Sequence, residues 1–244
     1  MSSAPVPAPS GQPSIVMDAE WVAALLHKFA QPLTALHGSL ELGLEFSTTA
    51  EEYRQAIEEA MVQADRMVRL KRVLMELTGR YDLAAESERL ALGPLIEAAA
   101  EDSLPVAERM GVAVQAAIQT KTAPPLYALV NGPRTAQALT LLLNATIEYS
   151  ESGSVVSITC EGSGSDSVTT FSNSSGAIPE IELSRMFDPF FVTRLRSSGE
   201  DASVHLALAA KILESAGGCV RAENLAPSGF RLAVRLPLVA APDH

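Results

Sequence analysis

Residues 27–36 read HKFAQPLTAL, in which a histidine precedes a proline by five positions inside a segment of helical spacing. Across residues 18–46, large apolar side chains recur every three or four positions, which predicts one long amphipathic helix. His27 lies between two members of this apolar stripe and, at about 100° per residue, points away from it. We therefore expect an exposed imidazole, close to the point where Pro32 removes one backbone hydrogen bond and bends the helix.

A second helix is predicted directly after the first. Ser47 and Thr48 interrupt the first pattern, and TAEE at residues 49–52 has the form of a capping box that opens a new helix. Apolar residues then continue at the same spacing to Leu77, and Gly79 is the expected stop. The two helices predict an antiparallel hairpin. Because each helix carries a single apolar stripe, we expect a second copy of the chain to bury it in a four-helix bundle, as a homodimer.

The rest of the chain has a mixed pattern of helices and strands. Helices are predicted at 92–104, 135–150 and 203–216, and strands at 111–118, 126–130, 154–162, 166–173, 219–225 and 229–238. This order predicts an α+β sandwich with helices on one face of a mixed sheet. The predicted domains are therefore a disordered tail at 1–13, the helical hairpin at 14–82 and the α+β domain at 83–244.

Composition and charge exclude several classes of function. Hydrophobic residues make up 47% of the 244 residues and charged residues 19%, as in a soluble globular protein. The formal net charge of -11 argues against binding to nucleic acid or to an anionic membrane surface. No apolar run is long enough to span a bilayer, and the start lacks a basic leader, so we expect no signal peptide. Two distant cysteines suggest a reducing compartment, and a cytoplasmic location is expected.

Four segments, in order along the chain, resemble the transmitter core of two-component sensor histidine kinases. HKFAQPLTAL resembles the phosphoacceptor box and LTLLLNATIEYS, at 139–150, the asparagine box. FDPFFVTR, at 187–194, resembles a box of the lid region, and residues 209–238 follow the closing helix and strands of the family. The resemblance implies a phosphoacceptor hairpin followed by a histidine-kinase-type (GHKL-like) ATPase α/β sandwich, with His27 as the phosphoacceptor.

The departures from the family pattern fall where nucleotide would bind. Asn173 stands where the family has the aspartate that reads the adenine amino group, and Ser175 replaces a glycine in the same box. Ser203 and His205 occupy glycine positions of the lid segment, whose backbone must fold tightly over phosphates. Losing one charge-assisted hydrogen bond costs about 1.5–3 kcal/mol, or roughly ten- to a hundredfold in affinity. We therefore interpret the nucleotide site as vestigial and expect no tightly bound ATP.

The asparagine box departs from the family in the same way. Thr140 and Glu148 replace the family's other asparagine and its lysine, which puts an acid beside the phosphates. Asn144 is retained, either as a surviving Mg²⁺ ligand or as a hydrogen-bonded structural amide. We expect no metal held by this chain alone, and the resemblance implies that a receiver partner brings its own Mg²⁺.

Two residues beside the histidine bear on its chemistry. Lys28 stands where kinases of the family have the acid that orients the imidazole and accepts its proton, which a charged lysine cannot do. Lys28 could instead help to hold phosphoryl oxygens. Gln31 keeps a group that phosphatase-competent relatives use to position water. His37 has no motif around it and is predicted to be structural, and Phe187, Phe190 and Phe191 are predicted to pack in the core.

The leading hypothesis is a histidine phosphotransferase with a kinase-like fold. It would pass phosphoryl groups through His27 to or from response-regulator receiver domains, in a relay supplied by an upstream hybrid kinase. One alternative is a soluble sensor histidine kinase core with an atypical ATP site. The other is a pseudokinase that acts as an adaptor without chemistry.

Overall fold

The computed structural model describes residues 19–77, 87–118, 125–174, 176–189, 191 and 202–241. The chain divides into two compact units, residues 1–63 and residues 64–244. The predicted tail at 1–13, the predicted helix stop at Gly79 and the predicted domain boundary between residues 82 and 83 lie outside the described residues.

Two helices of 28 residues, α1 (Ala19–Phe46) and α2 (Ala50–Leu77), confirm the predicted hairpin elements. The capping box at the start of α2 is also confirmed. The Oε2 atom of Glu52 accepts from the backbone N–H of Thr48 at 2.7 Å and from that of Thr49 at 3.0 Å. In return, the backbone N–H of Glu52 donates to Oγ1 of Thr49 at 3.2 Å. These hydrogen bonds stabilise the charged carboxylate and lower the pKa of Glu52. The bond from the Thr48 N–H contributes most.

Within the first unit, α1 and α2 approach closely at Gly43. A Cβ atom on this glycine would lie only 2.7 Å from the Cβ of Ala56, so a larger residue would push the helices apart. Much of the apolar surface of this unit remains exposed in the single chain: Leu26, Leu33, Leu40, Leu42, Leu44, Phe46, Tyr53, Ile57, Met61 and Val62. That exposure agrees with one stripe per helix, and the homodimer stays a prediction.

The second unit contains the mixed sheet that was predicted. Its strands are β1 (Glu88–Ala91), β2 (Ala113–Ile118), β3 (Tyr127–Val130), β4 (Val155–Ser163), β5 (Asp166–Asn173), β6 (Cys219–Asn224) and β7 (Phe230–Pro237). Five of them form one sheet in the order β2-β4-β5-β7-β6, in which only the β2–β4 pair is parallel. β1 and β3 form a separate antiparallel pair.

Helices cover one face of the five-stranded sheet. They are α3 (Leu92–Met110), α4 (Gly132–Tyr149), the short α5 (Glu180–Arg185) and α6 (Ala202–Ser215). Along β5 every second residue is buried, which is the period expected of a sheet with one covered face. The core between sheet and helices consists of fully buried side chains that include Ile96, Leu139, Leu142, Leu143, Ile147, Ile158, Phe171, Leu208, Leu213, Phe230, Leu232 and Val234.

Two elements and one packing prediction differ from the sequence analysis. β1 and α5 were not predicted, because β1 depends on its pairing with the distant β3 and α5 is a single helix of six residues. Phe187 and Phe191 are only half-buried, so the core role predicted for them was wrong, and Met186 is the buried residue there. The Phe191 ring instead faces the guanidinium of Arg185, 4.9 Å from its centroid. Phe190 lies outside the described residues.

No helix among the described residues is both long enough and apolar enough to cross a bilayer.

Candidate functional site

His27 lies in α1 with an exposed side chain, as its position relative to the apolar stripe predicts. α1 continues without interruption through Pro32, which is itself buried. One turn after His27, Nε2 of Gln31 lies 3.5 Å from Nε2 of the imidazole. The structure thus places the imidazole on the exposed side of α1, with one amide group beside the ring.

Lys28 is only 8% exposed, although it follows the exposed His27 directly. Consecutive residues on a helix point about 100° apart, so the two side chains face different sides of α1. This burial argues against the proposal that Lys28 holds phosphoryl oxygens on the surface presented by His27. Lysine also has no acceptor atom, so it cannot orient the imidazole as an acid would.

Gln31 is half-buried and its two amide atoms have different surroundings. Its Nε2 atom faces His27, whereas its Oε1 atom is sealed from solvent and has no hydrogen-bond partner within the part of the chain that the structure describes. Buried acceptors without a partner are uncommon in native structures and call for an explanation.

Asn144, on α4, is the second residue with such an atom. Its Oδ1 is sealed from solvent and accepts no hydrogen bond from any described residue. An amide oxygen in this state can coordinate a hard cation such as Mg²⁺. This geometry agrees with the interpretation as a surviving Mg²⁺ ligand, which stays a prediction.

Asn173, at the end of β5, has both ends of its amide engaged within the domain. Its Nδ2 donates to Oγ of Ser150 at 2.7 Å, and its Oδ1 accepts from the backbone N–H of Phe230 at 3.1 Å. The Ser150 hydroxyl in turn donates to the carbonyl of Thr146. Asn173 is 3% exposed, so it acts here as a buried cross-link between α4, β5 and β7.

The segment after Asn173 is held by the turn between β6 and β7. The side chain of Asn224 accepts from the backbone N–H of Ile178 and donates to its carbonyl, both at 2.9 Å. Gly229 has a φ of +99°, and a Cβ there would collide with the carbonyl oxygen of Asn173. Residue 175, where a serine replaces a family glycine, lies outside the described residues.

The glycine positions of the lid segment lie in the first turn of α6. Ser203 is fully buried, and its hydroxyl donates to the carbonyl of Pro189 at 3.0 Å. His205 is half-buried on the same helix. A helical backbone at these positions has no need of the conformational freedom of glycine.

Thr140 and Glu148, at which the asparagine box departs from the family pattern, both interact with other residues of the domain. The Thr140 hydroxyl donates to the carbonyl of Ala136, one turn earlier in α4. Glu148 is buried, and its Oε1 lies 3.9 Å from Nη2 of Arg109 on α3.

These residues fit magnesium-ATP only in part. Asn144 presents an unpartnered oxygen, but the amide of Asn173 is committed to Ser150 and Phe230, and Ser203 is tied to Pro189. No group of three or more His, Cys, Asp or Glu side chains that could hold a metal occurs among the described residues. Sequence reasoning missed the role of Ser150. It is the last residue of the asparagine box, but a bond to a residue 23 positions away leaves no local signal.

Two segments of the chain match known protein families. Residues 17–78 match the His Kinase A (phospho-acceptor) domain. Residues 131–240 match the histidine kinase-, DNA gyrase B- and HSP90-like ATPase family. These two matches, in this order along the chain, support a histidine kinase transmitter core.

Individual relatives agree with this assignment. The chain is 25% identical over 223 residues to the sensor protein CzcS of Cupriavidus metallidurans, which covers 90% of this chain and 46% of CzcS. It is 26% identical over 218 residues to the sensor histidine kinase ZraS of Escherichia coli O157:H7, covering 88% of this chain and 45% of ZraS. The chain thus spans slightly under half the length of these curated relatives.

The fold agrees with solved structures. Histidine kinase ThkA, in complex with the response regulator protein TrrA, superposes with a TM-score of 0.67 at 20% identity, over 91% of this chain and 62% of that one. Together the comparisons support a histidine kinase core of two-component signalling. They favour the sensor kinase core over the dedicated phosphotransferase.

Proposed function

We propose that His27 exchanges phosphoryl groups with the aspartates of response-regulator receiver domains. The observation that carries this proposal is the exposed imidazole of His27 on α1, within a segment that matches the phosphoacceptor domain. The neutral form of an imidazole has one ring nitrogen with a free electron pair. That nitrogen can attack phosphorus in line with the leaving group.

The transfer step is chemically complete without a nucleotide. The ring nitrogen donates its electron pair to the phosphorus of an aspartyl phosphate, forming an N–P bond. The P–O bond to the aspartate breaks, and the carboxylate leaves with that electron pair. The reverse reaction restores the aspartyl phosphate and the neutral imidazole. Mg²⁺ held by the receiver would neutralise the phosphoryl oxygens, since this chain offers no acidic cluster among its described residues.

The source of the phosphoryl group is, in our proposal, another protein. The internal hydrogen bonds of Asn173 support this, because adenine would have to compete with Ser150 and Phe230 for the same amide. The buried hydroxyl of Ser203 supports it as well. The partners would be receiver domains and an upstream hybrid kinase, in the cytoplasm. The complex of ThkA with a response regulator is a precedent for receiver binding by this fold.

The proposal includes a homodimer. The exposed leucines of α1, with Ile57 and Met61 of α2, form more apolar surface than a small helical unit normally leaves in water. A second copy would bury both stripes at once in a four-helix bundle. Sedimentation or light scattering of the purified chain measures its mass directly.

The test is transfer of label from a phosphorylated receiver. We expect label to move to the wild-type chain and to His37→Ala, but not to His27→Ala. His37 is the matched control, since it lies on the same helix, is exposed and pairs with Glu41. Equal labelling of wild type and His27→Ala would contradict the proposal. If His27→Ala leaves signalling by the partners intact, the adaptor alternative is favoured.

A second candidate is a sensor histidine kinase core that phosphorylates His27 from ATP. The comparisons favour it, and so does the unpartnered Oδ1 of Asn144, which suits a magnesium ligand. Calorimetry with magnesium-ATP tests it, and Asn144→Ala should abolish any heat of binding. Binding together with label on His27 from ATP would establish the kinase. We expect millimolar affinity or weaker.

A further inference from the structure

We propose that Gln31 is a positioning residue that fixes the tautomer of His27 and leaves Nε2 as the nucleophilic nitrogen. This inference rests on the proposed function of His27 and names the atom that reacts. Two observations carry it, namely the 3.5 Å separation of Gln31 Nε2 from His27 Nε2 and the sealed, unpartnered Oε1 of Gln31.

The tautomer follows from the orientation of the amide. An amide nitrogen can only donate, so Nε2 of His27 must accept and must carry an electron pair and no proton. The proton of the neutral ring then lies on Nδ1. The amide hydrogen bond points to the same electron pair that would attack phosphorus, so it fixes the orientation of the ring before the reaction. The bond then breaks as the phosphoryl group approaches that nitrogen.

The opposite amide orientation is less favourable. If the amide were rotated by 180°, its oxygen would face His27 and its NH₂ group would take the sealed position. Two donors would then lack partners in place of one acceptor, and buried unpaired N–H groups are rarer than under-satisfied carbonyls. The observed orientation therefore leaves the smaller number of unmade hydrogen bonds.

Gln31 acts here in place of an acid at position 28. An acid would accept the Nδ1 proton and select the same tautomer from the other side of the ring, but Lys28 has no acceptor and is buried. A donor at Nε2 reaches the same result. The replacement at position 28 is thus compatible with a working phosphoacceptor.

Histidine-selective ¹⁵N NMR of the full chain tests the inference without any phosphoryl donor. At a pH where the ring is neutral, we expect the Nδ1–H form of His27 to dominate. In Gln31→Leu the ratio of the Nδ1–H form to the Nε2–H form should fall by up to about fivefold, the effect of one neutral hydrogen bond. In Gln31→Glu the acceptor-only carboxylate should reverse the ratio.

His37 is an internal control in the same spectra. Its Nδ1 lies 3.2 Å from a carboxylate oxygen of Glu41, so its signals should not respond to changes at Gln31 and should report an intact α1. A wild-type His27 in the Nε2–H form, or a ratio unchanged in both Gln31 variants, would overturn the inference. Failure of receiver transfer with a normal tautomer would count against the proposed function alone.

Discussion

The side chain of Asn173 binds the end of β5 to the end of α4, because its Nδ2 donates to Oγ of Ser150 at 2.7 Å. Its Oδ1 accepts from the backbone of Phe230 at the start of β7. A position that the family resemblance links to adenine is thus part of the internal framework of the domain. Stability measurements can separate this role from ligand binding.

Replacing Asn173 by alanine should destabilise the second unit by about 1–3 kcal/mol, because the buried N–H of Phe230 loses its acceptor. Chemical unfolding monitored by circular dichroism measures the change. Asn144→Ala is the matched control. It removes the same amide group where Oδ1 has no partner among the described residues, so it should cost less. Equal losses of unfolding free energy in the two variants would contradict the role of Asn173 as a cross-link.

Gly43→Ala and Gly38→Ala should have opposite effects on the stability of the hairpin. A Cβ at Gly43 would lie 2.7 Å from the Cβ of Ala56, so the helices must separate, at a cost of about 1–3 kcal/mol. A Cβ at Gly38 has no described atom within 4 Å, so Gly38→Ala should stabilise α1 by up to about 1 kcal/mol. Thermal unfolding of the two variants checks both signs. A stabilising Gly43→Ala would show that α1 and α2 do not pack as described.

The capping box should make the start of α2 sensitive to acid. The pKa of Glu52 is lowered from about 4.5 by the N–H groups of Thr48 and Thr49. A lowered folded-state pKa gives stability that is present above the unfolded value and lost as the pH falls through the folded value. Helicity should therefore decline below about pH 4.5, in a step that Glu52→Gln removes.

Circular dichroism at pH 7 to 3 measures this step. Glu51→Gln is the control, since it neutralises the adjacent residue and leaves the capping bonds in place. A step of equal size in wild type and Glu52→Gln would show that the cap does not cause it.

Local sequence pattern predicted the regular parts of this fold and not the contacts between distant residues. Helix spacing, the TAEE cap and strand alternation identified α1, α2 and six of the strands, because each is encoded in neighbouring residues. β1 is four residues long and exists only because it pairs with β3, in register from Glu88 with Val130. No local pattern predicts that pairing.

The features of the candidate site also divide into those that local sequence predicts and those that depend on tertiary contacts. The exposure of His27 follows from helical phase, so the sequence could predict it. The burial of Lys28 and the bond from Asn173 to Ser150 depend on packing and tertiary contacts, so they could not be predicted. The unpartnered oxygens of Gln31 and Asn144 likewise appear only in three dimensions.

The most direct test of the central claim is mass-spectrometric mapping of the phosphorylated residue after parallel incubation with a phosphorylated receiver and with magnesium-ATP. We predict an acid-labile phosphoryl group on the peptide that contains His27, arriving from the receiver and not from ATP. A phosphoryl group on any other residue, or none from the receiver, would contradict the relay through His27. Comparable labelling from magnesium-ATP would refute the claim that the phosphoryl group comes from another protein and not from nucleotide.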